Sequence, residues 1–435
     1  MSATLSISPA SDLIDAPRRI ILSGFTPGSL VEISARSRTN DQATWGSRAV
    51  FQAHPDGTID LDRDAPLQGD YEGAASQGLI WSQKLLTPPA PAGAPGQDLV
   101  APISIAVEAR GEPGESARAT LEQRYAAEGV RRLELEQDGM VGTLFTPPGP
   151  GPHPAIVYLN GSGGGINEAN AALLASHGYA ALALGYFGAP GLPSHISGTP
   201  LEYFGKALRW LRAQVQPAGG FVAVSGQSRG GELSLLLGAT FPDLVSAVIA
   251  YVPSSVVHGV LAAGRPEEGR YAPAWTLAGE PLATVWEDNP ALASWAAIDG
   301  SPEPRRQAQA FVDAQNNPAA VARARIPVEN IRGPVLLISG GDDGFWPSSD
   351  YARQIAEQLR ENGHPHPVEH LDYPQAGHSI QPPHVPTTFI AKAHPVSGVV
   401  LTAGGTPAAN ALANADSWKN VLRFLDHAAK ASLTT

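Results

Sequence analysis

The sequence predicts a mixed α/β chain in two parts: a β-sandwich over residues 1–125, then a parallel α/β domain with a cap-like insertion over residues 126–435. Three observations predict it. Before residue 125, short β-branched and aromatic runs recur between turn signals. After Val130, apolar strands alternate with helical patterns. Val222–Leu233 (VAVSGQSRGGEL) passes from an apolar strand through a G-x-S-x-G turn into a helix.

Taken in order, Arg19–Ser23, Val31–Ser37, Ala49–His54, Thr58–Leu61, Leu79–Leu86 and Ile103–Ala109 read as strands. Thr26-Pro27-Gly28, Asn40-Asp41, Pro55-Asp56-Gly57 and Gly69-Asp70 separate them. Strands at this spacing predict an Ig-like sandwich. Thr87–Gln97 (TPPAPAGAPGQ) reads as a long loop within it, because strand patterns resume afterwards. Arg131–Glu136 and Met140–Phe145 form a hairpin pattern. The alternation follows: strand Ala155–Leu159, helix Glu168–His177, strand Ala180–Leu184 and helix Leu201–Gln214, whose Leu201, Phe204, Leu208 and Leu211 make one stripe. Val222–Val224 and Ala247–Val252 are further strands. Residues 256–330, rich in Pro, Ala and Gly, read as an insertion over the sheet edge. Strands Pro334–Ile338 and Val368–Leu371 flank helix Ser349–Asn362, and Ala415–Ala429 closes the chain as a helix.

Composition narrows the partners. The chain has 435 residues, 43% hydrophobic and 16% charged, and a net charge of −12, which argues against nucleic acid or an anionic membrane surface as a bulk partner. It has no Cys, hence no disulfide, Cys metal site or Cys nucleophile. No H-E-x-x-H or similar spacing predicts a metal, and no cofactor is expected. The N-terminus lacks a basic n-region and an apolar h-region, so a cytoplasmic protein without a signal peptide is expected. The Ala/Gly/Pro/Arg-rich usage points to a bacterial source.

The chemistry centres on Ser228. A Ser hydroxyl becomes nucleophilic only with a general base in reach and a carboxylate to orient that base. In α/β-hydrolases these follow in the chain order Ser, acid, His, each on a loop after a strand. The acid falls in Ser339-Gly340-Gly341-Asp342-Asp343-Gly344, directly after an apolar strand; Asp343, in a G-x-x-D-x-x-x-P spacing, is favoured over Asp342. The base is His378, a Gly-His step in the loop after the last strand; His364, His366, His370 and His384 read as surface residues. Backbone N–H groups must stabilise the oxyanion. One is expected from Arg229, after the nucleophile, and one from Ser162 or Gly163 in Asn160-Gly161-Ser162-Gly163-Gly164-Gly165. That loop lacks the Lys and the glycine order of nucleotide-binding motifs.

These motifs resemble the acyl-CoA thioesterases and bile acid-CoA:amino acid N-acyltransferases over nearly the whole chain. The resemblance rests on Gly69-Asp70-Tyr71-Glu72-Gly73, Gly78-Leu79-Ile80-Trp81-Ser82, Leu201-Glu202-Tyr203-Phe204 and Gly226-Gln227-Ser228-Arg229-Gly230-Gly231. It continues through Gly341-Asp342-Asp343 with Trp346, Tyr373-Pro374 with Ala376-Gly377-His378, and Gly404-Gly405-Thr406-Pro407. It implies a β-sandwich followed by an α/β-hydrolase domain, and a triad of Ser228, Asp343 and His378. Members that conjugate amino acids resemble one another in using Cys, so Ser228 implies hydrolysis. Gln227 and Arg229 stand where members often carry an aliphatic residue and Lys, and the Val256–Arg325 insert is unlike the better-known members.

The leading expectation is therefore hydrolysis of an acyl-CoA thioester through an acyl-Ser228 intermediate. A carboxylesterase or lactonase acting on a non-CoA ester is the alternative, N-acyl transfer comes third, and a binding module with a degenerate site would make the intact Ser, Asp and His a coincidence. A CoA substrate would call for basic side chains at the mouth, for which Arg209, Arg212 and Arg229 are the candidates near the elbow in sequence. The acyl group and the oligomeric state stay open.

Overall fold

Alternating buried and exposed residues define the strands of the first part, as in Leu30–Arg38, where every second side chain is buried. The computed structural model describes residues 2–90, 98–290 and 294–433, so residues 91–97 of the expected Thr87–Gln97 loop lie outside the described residues. The chain divides into two compact units: Met1–Ala127 with Gln381–Phe389 and Thr406–Ala415, and Glu128–Ile380 with Ile390–Gly405 and Asp416–Thr435. The two tail segments of the first unit fall in what the sequence reading assigned to the second.

In the first unit, β1 (Thr4–Ser8), β3 (Arg19–Ser23) and β6 (Ile59–Asp60) form one sheet. The other runs β2-β10-β9-β4-β5-β7, from β2 (Ser11–Leu13), β4 (Leu30–Arg38), β5 (Thr44–Gln52), β7 (Gln68–Gly69), β9 (Ile103–Arg110) and β10 (Ser116–Arg124), with β8 (Lys84–Thr87) also on β5. Ile20, Leu22 and Ile59 of the first sheet share one core with Ile33, Phe51, Ile105 and Leu121 of the second, which is a β-sandwich. The expected strand Leu79–Leu86 is corrected: Gly78–Trp81 is a helical turn, α1, and only Lys84–Thr87 is strand. A short apolar run does not by itself distinguish the two. In the tail segments, the backbone N–H of Thr387 donates to the Trp81 carbonyl (2.9 Å), and Gln123 donates to the His384 carbonyl (3.0 Å).

The second unit is built on an eight-stranded sheet of order β11-β12-β14-β13-β16-β17-β20-β21. Its strands are β11 (Arg131–Gln137), β12 (Met140–Thr146), β13 (Ala155–Leu159), β14 (Ala180–Gly185), β16 (Val222–Gln227), β17 (Ala247–Tyr251), β20 (Val335–Gly340) and β21 (Val368–Tyr373). β11, β12 and β14 pair antiparallel in sequence; every other pair is parallel. β13, β14, β17 and β20 are buried at every residue, because helices cover both faces. Those include α2 (Glu168–Ser176), α3 (Leu201–Val215), α4 (Arg229–Thr240) and α8 (Ser348–Glu361); α9 (Pro407–Ser432) begins in the first unit and ends in the second. Leu201, Phe204, Leu208 and Leu211 of α3 are all buried, the stripe that the sequence predicts. Counting the sheet's strands in chain order, the spatial order is 1-2-4-3-5-6-7-8, the α/β-hydrolase arrangement.

Between β17 and β20 the insertion holds β18 (Trp275–Leu277) and β19 (Glu280–Pro281), which join β15 (Thr199–Pro200) in a small sheet, and helices α5 (Ser294–Asp299), α6 (Ala308–Ala314) and α7 (Pro318–Ala324). It has its own apolar cluster, with Val285, Trp286, Trp295 and Phe311 packed on Trp346 and Tyr351 from the region after β20. A two-stranded hairpin, β22 (Ala391–Ala393) and β23 (Val400–Thr402), follows β21.

Candidate active site

Strand β16 enters the site fully buried from Val222 to Gly226, and the chain then reverses within two residues. The reversal puts Ser228 at φ 60° and ψ −120°, a conformation that costs a non-glycine residue energy and persists only where neighbours enforce it. Its N–H donates to the Tyr251 carbonyl (2.9 Å), and its own carbonyl accepts from Glu232 N–H (3.0 Å). The flanking glycines are steric necessities. A Cβ on Gly226 would stand 2.4 Å from the Gly230 carbonyl oxygen, and one on Gly230 would stand 2.7 Å from those of Asn160 and Leu159. Ser228 is half-buried, and α4 begins at the next residue.

Two loops at the same sheet edge carry the acid and the imidazole. Of the two aspartates, Asp343 is the one that meets His378: Nδ1–H of the imidazole donates to Oδ1 (2.9 Å) and Oδ2 (2.8 Å). Oδ1 of Asp343 also accepts the N–H groups of Phe345 (2.8 Å) and Trp346 (3.2 Å), so the carboxylate is fixed before it meets the ring. Asp342 turns away, taking Arg306 (2.7 Å) and the N–H of Gly405 (2.8 Å). His378 and Asp343 are each only 4% exposed. Phe345 stacks on the imidazole at 4.4 Å between ring centres, and Trp346 meets it edge-on at 5.5 Å. Because a carboxylate only accepts, the proton lies on Nδ1, leaving Nε2 as a lone-pair acceptor. Nε2 is buried with no hydrogen-bond partner among the described residues. Gln227, the neighbour of Ser228, donates from Nε2 to the His378 carbonyl (3.0 Å), tying the imidazole loop to the elbow. Sequence reasoning noted Gln227 only as a departure from the family pattern.

The glycine-rich loop after β13 comes against the elbow: a Cβ on Gly161 would stand 3.4 Å from Cβ of Ser228 and 4.0 Å from the Arg229 nitrogen. The N–H groups of Gly161, Gly164 and Gly165 are taken by Asn160, Gly161 and Phe187, which leaves those of Ser162 and Gly163. The Arg229 N–H, at the first position of α4, has no intrahelical acceptor. The three expected oxyanion donors thus lie on two backbone segments that meet at Ser228.

Sequence reasoning missed the hairpin. Its strand β23 leads into Ala403, whose carbonyl accepts from His378 N–H (2.8 Å) and Gly344 N–H (2.9 Å). In its turn, His394 accepts at Nδ1 from Val396 N–H (3.2 Å), which puts its proton on Nε2, and Nε2–H donates to Ser162 Oγ (3.0 Å). Burial, with the Arg229 charge adding to it, pushes the His394 pKa down to about 4. One hairpin therefore contacts the acid, imidazole and glycine loops. No periodicity or motif in its sequence announces this. Of the histidines expected at the surface, His366 is exposed, but His364, His370 and His384 are half-buried, and His370 Nε2 sits 2.7 Å from Ser339 Oγ.

Arg229 requires a correction as a binding candidate. Its guanidinium is buried, with Nη1 donating to both oxygens of Glu232 (2.9 Å each) and to the His258 carbonyl (3.2 Å), and Nη2 to the Gly259 carbonyl (2.7 Å). Trp275 Nε1 donates to the same carboxylate (2.8 Å). Burial pushes the Glu232 carboxyl up, yet both oxygens only receive donors, the pattern of an ionised group. Arg229 thus anchors the insertion to the elbow and is unavailable to a ligand. Arg212 is likewise engaged, donating to the Leu244 carbonyl (3.0 Å). Among the described residues no group of three or more acidic or His side chains could hold a metal, and no helix is long and apolar enough to cross a membrane.

An α/β-hydrolase sheet with a strained Ser at the elbow and an Asp–His pair beside it defines the class. The particular family follows from comparison: the chain belongs to the acyl-CoA thioester hydrolase/BAAT family, matching its N-terminal region over residues 15–137 and the BAAT/acyl-CoA thioester hydrolase C-terminal domain over residues 199–431. It is 31% identical over 431 residues to acyl-coenzyme A thioesterase 1 of Rattus norvegicus, covering 98% of this chain and 96% of that protein. It is 32% identical over 433 residues to the mitochondrial acyl-coenzyme A thioesterase 2 of Homo sapiens, covering 98% and 84%. Among solved structures, the acylaminoacyl peptidase of Pyrococcus horikoshii aligns with a TM-score of 0.42 at 11% identity, covering 94% of this chain and 74% of its own.

Proposed function

We propose that this chain is a serine hydrolase that cleaves an acyl-CoA thioester to a free acid and CoA. The observation that carries the mechanism is the Asp343–His378 pair, which leaves the imidazole Nε2 without a partner among the described residues, while Gln227, the residue before Ser228, holds the His378 backbone carbonyl. Ser228 Oγ attacks the thioester carbonyl while His378 Nε2 takes its proton. Asp343 holds the tautomer that leaves Nε2 free and stabilises the imidazolium that forms. The oxyanion is met by the N–H of Arg229 and that of Ser162 or Gly163. The C–S bond breaks and CoA leaves as its thiol, taking the proton from His378. Water, deprotonated by the same nitrogen, then attacks the acyl-Ser228 ester, and the acid departs as Ser228 regains its proton.

The relatives' thioesterase names support the thioester over a simple ester, and Ser228 supports hydrolysis over amine transfer: an oxygen ester leaves water a competent second nucleophile. The test is steady-state turnover of an acyl-CoA chain-length series beside p-nitrophenyl esters, with Ser228→Ala as control. We expect kcat/KM for some acyl-CoA to exceed that of every ester, and a loss of at least about 10⁴-fold in Ser228→Ala. Turnover of esters without any CoA thioester refutes the substrate assignment, and an active Ser228→Ala refutes the mechanism.

A further inference from the structure

The chain is acidic overall, yet three arginines gather around one cavity of about 560 Å³ in the insertion. Arg265, Arg270 and Arg305 line it, with His195 beside them and Asp299 as the carboxylate in the lining. Arg270 donates to Asp299 (2.7 Å), and Arg305 stands 3.7 Å from the same group. Arg265 pairs with Glu268 (2.6 Å). Even with Glu268 counted, the guanidiniums outnumber the carboxylates. Their side chains keep 49%, 33% and 23% of their exposure, so a solute reaches them. Arg305 Nε is buried with no acceptor among the described residues, so this side chain meets a solute through the rest of its guanidinium.

The cavity is coupled to the nucleophile by the hairpin. Val396, Ser397, Val399 and Leu401 form part of its wall. On the same turn, His394 holds Ser162 Oγ at 3.0 Å, and Pro395 Cγ stands 3.3 Å from where a Cβ on Gly163 would lie. Arg305 is itself laid along the hairpin: its N–H donates to the Val400 carbonyl (2.9 Å), and its carbonyl accepts from Thr402 N–H (3.0 Å). One side of this turn meets the glycine loop at Ser228, and the other faces the arginines.

A CoA thioester has the complementary layout, with its reacting carbonyl at one end of a long neutral arm and its phosphates at the other. Phosphate oxygens are recognised by guanidinium forks through charge-assisted, often paired hydrogen bonds. We propose that the Arg265–Arg270–Arg305 cavity is the subsite for the phosphate end of the CoA moiety, with the pantetheine arm passing the 394–397 turn to bring the thioester to Ser228. This rests on the acyl-CoA reading above and assigns to the insertion the cationic surface that Arg229 and Arg212 do not provide.

The experiment compares two substrates on the wild type and on Arg265→Gln/Arg305→Gln: an acyl-CoA, and the N-acetylcysteamine thioester of the same acid, which keeps the reacting bond and lacks the phosphates. In the wild type we expect a large preference for the CoA thioester and a KM for it that rises with salt. In the double variant the ratio of the two kcat/KM values falls about tenfold or more, since two charge-assisted contacts are removed. Arg305→Lys, which keeps the charge, retains most of the ratio; thermal melts verify that each variant is folded. A wild-type preference that survives intact in the folded double variant overturns the subsite while leaving the proposed function standing. A wild type that does not distinguish the two thioesters also overturns it. If neither thioester is hydrolysed while simple esters are, it is the proposed function that fails, and the subsite with it.

Discussion

Glu232→Gln changes one charge and almost no volume, and the structure sets how much it should matter. The Glu232 side chain is fully buried and that of Arg229 is 2% exposed. The carboxylate receives two contacts from Arg229 Nη1 and one from Trp275 Nε1. A glutamine supplies one acceptor oxygen; its amide nitrogen, whichever way it points, meets a donor. The guanidinium is then left buried with only the His258 and Gly259 carbonyls as acceptors. Removing one partner of such a pair costs about 3–5 kcal/mol. In a domain of this size that is a fall in melting temperature on the order of 10 °C. Because Arg229 follows Ser228, the displaced N–H lowers kcat as well. Urea unfolding and thermal melts of Glu232→Gln provide the assay, with Arg229→Met/Glu232→Leu as companion. Replacing both charges with apolar groups of similar volume removes the unpaired ion, so the double variant should recover most of the lost stability. A Glu232→Gln protein within about 1 kcal/mol of wild type, or a double variant less stable than the single one, refutes the reasoning.

Three further outcomes are expected. Asp343→Asn lowers kcat by about 10⁴-fold by favouring the wrong imidazole tautomer, whereas Asp342→Asn changes it less than about tenfold; parallel kinetics with equal effects would reject the assignment. Gly230→Ala forces a Cβ to within 2.7 Å of two carbonyl oxygens, so the elbow opens, with loss of activity and about 1–3 kcal/mol of stability; a fully active alanine variant contradicts the steric reading. Unfolded His394 titrates near 6.5 and the folded residue near 4, so the unfolded chain binds this proton first. Its contribution to stability is therefore complete above about pH 6.5 and declines by up to about 3 kcal/mol as pH falls toward 4. Denaturation midpoints across that range should fall less steeply in His394→Asn, and an unchanged slope counts against it.

What the sequence disclosed depended on whether the signal was local. The apolar runs Ala155–Leu159 and Ala180–Gly185 are strands because both faces are covered, and their composition says so directly. Helix α3 was legible from its stripe. Strands β1, β2 and β10 were not: β10 (SARATLEQR) presents small and charged residues, and few of its side chains are buried. The strained turn at Ser228 and the contact of Asp343 with His378 could be anticipated because each residue follows a strand in a recognisable turn. His394 could not, because its contact with Ser162 joins residues 232 positions apart, through a turn with no signature. The fate of the Arg229 guanidinium was equally hidden: an arginine after a nucleophile reads as exposed charge until Glu232, Trp275 and the insertion are seen around it.

The chain passes between its two compact units five times, after Ala127, Ile380, Phe389, Gly405 and Ala415. Four of those passages follow within 40 residues of His378. The sandwich is therefore not a module that can be gained or lost with a single break in the gene. An exchange at residue 127 would leave behind the segments that supply Thr387 to the Trp81 carbonyl and the His384 carbonyl to Gln123. Recombination could transfer the β-sandwich intact only together with the tail, and the tail carries the hairpin that holds the imidazole and glycine loops. Moving the β-sandwich with all of its segments therefore moves that hairpin as well.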